Sequence, residues 1–303
     1  MWHYCTESCE EPKGGAMEPI VREAVMERLE QMEALDPIAQ RLQKLARKLI
    51  PQDSQLKDAL SGTWLGHPVH PPLTDVVIGA WVSAGYLDLF GGENSEDAAD
   101  RLVALGVVAG VPTAMAGLSD WAELFNGLRR LGSLHAIANT IALGLQGMSW
   151  LARKKGRRGL GVGLSMMGAG VATGSAWLGG HLSFRKGVGV DQTVFESLPT
   201  EWTAVIDESR LEDGKLAQAS LDGVSIAIVR TGGRVHAMLD RCSHRGCSLH
   251  EGKFEGNTIT CPCHGSSFRL DGTIVKGPAT SPQPSLDVRI TSGRVEIRGP
   301  VAQ

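Results

Sequence analysis

Four apolar segments, near Leu73–Phe90, Leu102–Phe125, Leu134–Leu151 and Leu160–Leu178, follow one another with only short polar loops between them. Each approaches the roughly 20 residues needed to cross a bilayer. The spacing predicts an all-α four-helix transmembrane bundle over residues 67–186, with a buried helical core in a soluble domain as the alternative. Mean hydropathy near zero does not argue against this, because it averages unlike parts. The flanking residues 1–66 and 187–303 are ordinarily charged. Gly106 and Gly110, and Gly170 and Gly174, are four apart and would let helices approach closely in lipid. Pro112 should kink the second helix.

Ahead of the bundle, apolar residues recur at Val21, Val25, Leu29, Met32, Leu35, Ile38, Leu42, Leu45 and Leu49. Steps of three and four predict amphipathic helix over residues 20–66, broken at Asp36-Pro37, where an N-cap is followed by Pro at the first helical position. Such helices either cover the next domain or lie on the membrane surface. Residues 1–19 read as a disordered stub upstream of a start at Met17. Its His3, Cys5 and Cys9 are weak metal-ligand candidates. No secretory signal is visible.

After a linker at 187–199, residues 200–303 change character. Val, Ile and Thr runs at Ser225–Arg230, Val235–Leu239, Thr258–Thr260, Asp287–Thr291 and Arg294–Arg298 alternate with Gly-containing turns, which predicts a small all-β domain of antiparallel sheets. Two loops in it hold four of the six cysteines: Cys242-Ser-His244-Arg-Gly-Cys247 and Cys261-Pro-Cys263-His264-Gly-Ser266. So tight a group in a chain this long reads as a metal site rather than a disulfide framework. Each loop offers one thiolate and one imidazole. A structural zinc site is the alternative, although zinc loops usually pair Cys with Cys and His with His.

Here the chain resembles the Rieske iron–sulfur family. The resemblance implies a 2Fe–2S cluster held by Cys242 and Cys261 on one iron and His244 and His264 on the other, with both rings at the surface where electrons enter or leave. Imidazoles in place of two thiolates raise the potential. Cys247 and Cys263 match the disulfide of cytochrome bc Rieske subunits. Ser266 matches the hydroxyl that bonds to cluster sulfur, and Pro278 lies in the proline loop over the cluster. Phe268 stands where high-potential members carry Tyr, and Arg245 replaces an apolar residue at the usual quinol-docking surface. Arg241-Cys-Ser-His-Arg-Gly is closer to the ferredoxins that serve oxygenases. These departures imply an intermediate potential. The chain is not a Rieske oxygenase by itself, since residues 285–303 hold no His for a mononuclear iron.

The apolar region is similar to a family of four-helix membrane domains, some fused to Rieske domains. The resemblance rests on Gly66-His67-Pro-Val-His70-Pro, Leu134-His135-Ala-Ile-Ala-Asn139 and Gly179-Gly180-His181 running to Gly187-Val-Gly-Val190. With four spans, His67, His70, His135 and His181 share one membrane face with the Rieske domain, and Asp75 lies one turn in. Ionisable groups at such depth are functional candidates. Haem b or another metal ligated by two of these histidines, a quinone site using one His with Asp75, and plain interfacial histidines are the three readings. Asn139 shares a helix face with His135.

The function expected is membrane-bound electron transfer, to or from a haem or quinone site in the bundle. The alternative is a membrane-anchored Rieske ferredoxin serving a separate oxygenase or reductase. Partners would be a redox protein or quinone and the lipid bilayer, with a homo-oligomer or a larger respiratory complex as the setting. Net charge of −3 gives no case for nucleic acid. The basic loop Arg153–Arg158 lies opposite the Rieske domain, which puts that domain on the exoplasmic side of a bacterial plasma membrane. Arg129-Arg130 and Arg185-Lys186 argue the other way.

Overall fold

The computed structural model describes residues 21–299. The expected N-terminal stub, with His3, Cys5 and Cys9, lies outside the described residues. Helix α1 (Val21–Glu30) and helix α2 (Asp36–Leu49) are separated by a turn, with Pro37 in the first turn of α2 as expected. Asp36 is itself the first helical residue and Leu35 the N-cap, which corrects the expected Asp36 cap. The face of α2 that packs on the protein is Ala39, Gln43 and Ala46, whereas Ile38, Leu42, Leu45 and Leu49 are exposed. Small and polar residues therefore make the protein contact, and the leucine stripe faces outward. Helix α3 (Gln55–Ser61) is capped by the Ser54 hydroxyl, which accepts from the Lys57 N–H at 3.1 Å.

Four long helices follow: α4 (His70–Phe90), α5 (Glu96–Trp121), α6 (Asn126–Lys154) and α7 (Arg158–Gly180). Among the described residues two stretches, His70–Phe90 and Glu93–Trp121, are long and apolar enough to cross a membrane. The other two helices carry more polar and glycine residues, such as Arg129, Arg130, Gln146 and the Gly series of α7. The interior of the bundle mixes polar side chains, with Gln146, Ser149, Ser165 and Ser175 buried, and an apolar group of Val77, Trp81 and Ala142. Large apolar residues such as Val82, Leu89, Val108, Ile137, Ile141 and Met167 point outward.

Gly106 and Gly110 do provide close approach, since a Cβ there would strike Trp81 and Leu143. Gly170 and Gly174 face open space, which corrects the expectation that they mediate packing. Helix α5 runs unbroken through Pro112. At the far end of the bundle Arg153 and Asp88, both with fully buried side chains, form an ionic cluster with Asp100 and Arg158. A buried charge is tolerated only when paired in this way.

The C-terminal domain has two antiparallel sheets. The larger has the order β1-β10-β9-β4-β3-β2, built from β1 (Thr203–Asp207), β2 (Leu216–Leu221), β3 (Val224–Thr231), β4 (Arg234–Leu239), β9 (Ser285–Thr291) and β10 (Arg294–Arg298). The smaller comprises β5 (Lys253–Glu255), β6 (Thr258–Thr260), β7 (Ser267–Arg269) and β8 (Ile274–Lys276). Strand β3 is buried on both faces: Ile226 and Ile228 join the core of the larger sheet, and Ala227 and Val229 join Met238, Leu249, Ile259 and Phe268 under the loops.

Candidate metal centre at the junction of two domains

Two loops with the same backbone plan carry the sulfur and imidazole groups. In the first, which follows β4, Cys242 N–H donates to Cys247 O at 2.9 Å and Gly246 N–H to Cys242 O at 2.8 Å. In the second, between β6 and β7, Cys261 N–H donates to Ser266 O at 2.8 Å and Gly265 N–H to Cys261 O at 3.1 Å. Gly246 and Gly265 both take positive φ, the left-handed conformation that glycine adopts without a Cβ clash. Cys247 and Cys263 are joined by a disulfide that ties the loops together. The sulfurs of Cys247, Cys261 and Cys263 lie within 4.8 Å of one another, but the bridge leaves only Cys261 of the three as a ligand.

The remaining donors are Cys242 and Cys261, both free and buried, and two imidazoles whose centroids stand 5.1 Å apart. Both ring nitrogens of His264 are buried with no hydrogen-bond partner, an arrangement that an unliganded protein has no reason to build. Burial pushes the His264 pKa down to about 4. The hydrogen bond with Cys261 and burial hold the Cys242 thiol far up. That bond and the N–H groups of Cys263 and His264 hold Cys261 down at about 7, against its burial. Ser266 Oγ, fully buried, accepts from Ala279 N–H at 3.0 Å and so keeps its own proton to donate. Gln283 ties the proline segment to the first loop, accepting from Ser243 N–H and donating to Leu239 O and Arg241 O.

The helical domain closes over this centre. Helix α5 ends at Trp121, and its last carbonyls are met from α2 and α3. Gln43 donates to Trp121 O and Leu124 O, Arg47 to Ala122 O, and Lys57 to Ser119 O. These bonds satisfy groups that a helix end leaves unpaired, and they fix the turn that carries Glu123 and Phe125. Glu123 Oε2 lies 3.0 Å from His244 Nε2, and its other oxygen pairs with buried Lys57. The Phe125 ring stacks on His264 at 5.6 Å and 30°. Burial alone would raise the Glu123 pKa, but His244 and Lys57 outweigh it and hold the carboxyl near 2. On the other side, Asp58 accepts from Gly277 N–H at 3.0 Å and Thr63 donates to Ala279 O at 3.2 Å, so α3 and the turn after it brace the loop of Pro278.

Residues 201–289 match the family described as Rieske [2Fe-2S] domain. Ferredoxin CarAc of Metapseudomonas resinovorans is 31% identical over 100 residues, which is 32% of this chain and 94% of that protein. The chain belongs to the Rieske family. The cytochrome b6-f complex iron-sulfur subunit of Chlorobaculum tepidum is 33% identical, over 28% of this chain and 45% of its own length. The 3-phenylpropionate/cinnamic acid dioxygenase ferredoxin subunit of Escherichia coli is 40% identical over 80 residues, 26% of this chain and 76% of that protein. Residues 66–192 match the family described as Predicted membrane protein (DUF2231).

Rieske membership implies a 2Fe–2S cluster and one-electron transfer. The buried thiols and unpartnered His264 nitrogens of this Rieske protein fit such a group. Two expectations are corrected. The imidazole edge does not lie at a free surface: His264 is 3% exposed, and Glu123 and Phe125 cover the edge. Arg245 is not on an open docking face either. It is largely buried beside Glu123 and Asp120, and that burial lowers its pKa. Phe268 is fully buried in the apolar cluster under the loops.

Of the polar groups expected in the bundle, His70, His135 and Asn139 come together. The two rings stand 6.4 Å apart, and Asn139 Nδ2 donates to His135 Nε2 at 3.0 Å. His181 instead lies by Trp177 and Glu30, while His67 and Asp75 are exposed. Sequence reasoning missed Glu123, Phe125, Lys57 and Asp58. A carboxylate closing an apolar span was the available signal for Glu123.

Proposed function

We propose that this Rieske protein is a membrane-bound electron carrier whose cluster exchanges single electrons through its own helical domain. Cys242 and Cys261 hold one iron and His244 and His264 the other. The observation that carries the reading is the cover over the imidazole edge, where Glu123 meets His244 and Phe125 stacks on His264. A ferredoxin that serves a separate protein needs that edge open; here it is directed at the bundle.

Large apolar residues facing outward on all four long helices, over an interior that includes buried Gln146, Ser149, Ser165 and the Arg153–Asp88 pair, support a four-helix transmembrane bundle over residues 67–186. The exposed stripe of α2 supports contact with the membrane surface. Within the bundle the second electron station is a haem or quinone site. The Rieske domain faces the exoplasmic side of a bacterial plasma membrane, opposite Lys154, Lys155 and Arg157. The donor or acceptor is a quinone or redox protein, and the setting a homo-oligomer or larger respiratory complex. Ser266 without a Tyr at position 268 gives an intermediate potential.

The second reading is an anchored ferredoxin that feeds a separate oxygenase or reductase. It is favoured by the identity with two ferredoxins noted above. Phe125→Ala separates the two. If the cover directs electrons, the variant speeds cluster reduction by a soluble flavoprotein reductase several-fold and slows reduction by a membrane quinol in liposomes. Equal rates for variant and native protein with both donors support the anchor reading.

A further inference from the structure

The helical domain contains an internal repeat that ends in a pair of imidazoles. His70, at the start of α4, places Nδ1 3.0 Å from the Thr113 carbonyl of α5, 43 residues on, and a Cβ on Gly117 would strike its ring. His135, on α6, places Nδ1 2.8 Å from the Ser175 carbonyl of α7, 40 residues on, and a Cβ on Gly179 would strike its ring. Hairpin α4–α5 and hairpin α6–α7 thus each set a histidine against a carbonyl and a glycine four residues later. The two rings meet 6.4 Å apart at an interplanar angle of 83°.

We propose that His70 and His135 are the two axial ligands of one b-type haem. A carbonyl oxygen can only accept, so each Nδ1 carries the proton and each Nε2 presents its lone pair. A ring nitrogen tied to a backbone carbonyl is the usual support of a metal-bound histidine. A quinone carbonyl needs a donor, which an unprotonated Nε2 is not. The spacing fits as well: with a metal–nitrogen bond of about 2 Å on each side, two imidazole centroids across one metal stand about 6.3 Å apart. Zinc would need three or four protein ligands. Among the described residues the grouping of three or more His, Cys, Asp or Glu side chains is the one around the disulfide, so no third ligand joins this pair. A metal held by two imidazoles must bring its other donors with it, as iron in a porphyrin does. Asn139, exposed and bonded to His135 Nε2, turns aside when iron takes that nitrogen. The site lies close to the cluster, because Gly117 precedes the end of α5 at Trp121 by only about 6 Å of helical rise.

This inference deepens the proposed function and rests on it for the haem's role, so the test reads the two separately. The full chain is purified in mild detergent from cells supplied with a haem precursor, and hemin is titrated into any haem-free fraction. Optical spectra count haem, and the electron paramagnetic resonance signal of the reduced cluster counts folded protein. The expected result is about one low-spin haem b per chain, falling at least about tenfold in His70→Ala and in His135→Ala with the cluster signal intact. His67→Ala and His181→Ala retain it. Imidazole added to either alanine variant restores the low-spin spectrum, which distinguishes a lost ligand from a lost fold. Protein with a full cluster signal and no haem after hemin titration would overturn the site, as would haem retained in both alanine variants. Neither of those results touches the covered edge, which the Phe125→Ala rates test independently.

Discussion

Across the junction between the two domains, His244 Nε2 and Glu123 Oε2 stand 3.0 Å apart, and the second Glu123 oxygen is paired with Lys57, which is 2% exposed. A carboxylate beside a ligand ring favours the more positive, oxidised cluster. Glu123→Gln keeps the shape and removes the charge, so the reduction potential should rise. Glu123→Ala also leaves Lys57 buried without its counter-charge, which should cost about 3–5 kcal/mol. Redox titration and thermal unfolding of the two variants check these separately. A potential unmoved in Glu123→Gln would count against contact between carboxylate and ligand in the holoprotein.

The disulfide between Cys247 and Cys263 spans 16 residues and joins loops that must converge on one cluster. Closing a loop of that size stabilises the folded chain by about 3 kcal/mol. Replacing both cysteines by Ser should lower the temperature at which cluster absorption is lost, while Cys242, Cys261, His244 and His264 still bind it. An unchanged loss temperature would mean that packing under the loops suffices.

Much of the cluster site was legible because its chemistry is local. Ligands two or three residues apart in short loops can be read without the fold, and the long strands β3, β4, β9 and β10 show their alternation and turns. Strands β5, β7 and β8, of three residues each, are too short to establish a period, and β6 was legible at the same length only as a Thr-Ile-Thr run; β1 and β2 are longer and were missed as well. The cover over the cluster was not legible for a different reason. Glu123 lies 121 residues before His244, and nothing in either segment announces the other. The pairing of His70 with His135 was similarly hidden, since it depends on which helix supplies each carbonyl. Two of the four expected histidines meet; His181 was drawn away by Glu30 and Trp177.

Asp36 at the head of α2 holds Arg129 at 2.9 Å and Arg130 at 3.0 Å, and these hydrogen bonds hold its carboxyl well below its ordinary value of 3.8. A depressed folded pKa contributes stability that is present above the unfolded value and is lost as pH falls below it. The attachment of α2 to α6 should therefore weaken below about pH 3.8 and not between pH 5 and 8. Asp36→Asn should remove that acid sensitivity. Limited proteolysis of residues 21–60 against pH reads both.

The cluster's imidazole edge faces the chain's own helices rather than solvent, with Glu123 against His244 and Phe125 on His264. Relaxation of the reduced cluster's electron paramagnetic resonance signal by a water-soluble paramagnetic chelate measures this directly in the intact holoprotein. A covered edge should show weak enhancement in the native chain and a clear increase in Phe125→Ala. Enhancement in the native chain as strong as in a free Rieske ferredoxin would contradict it.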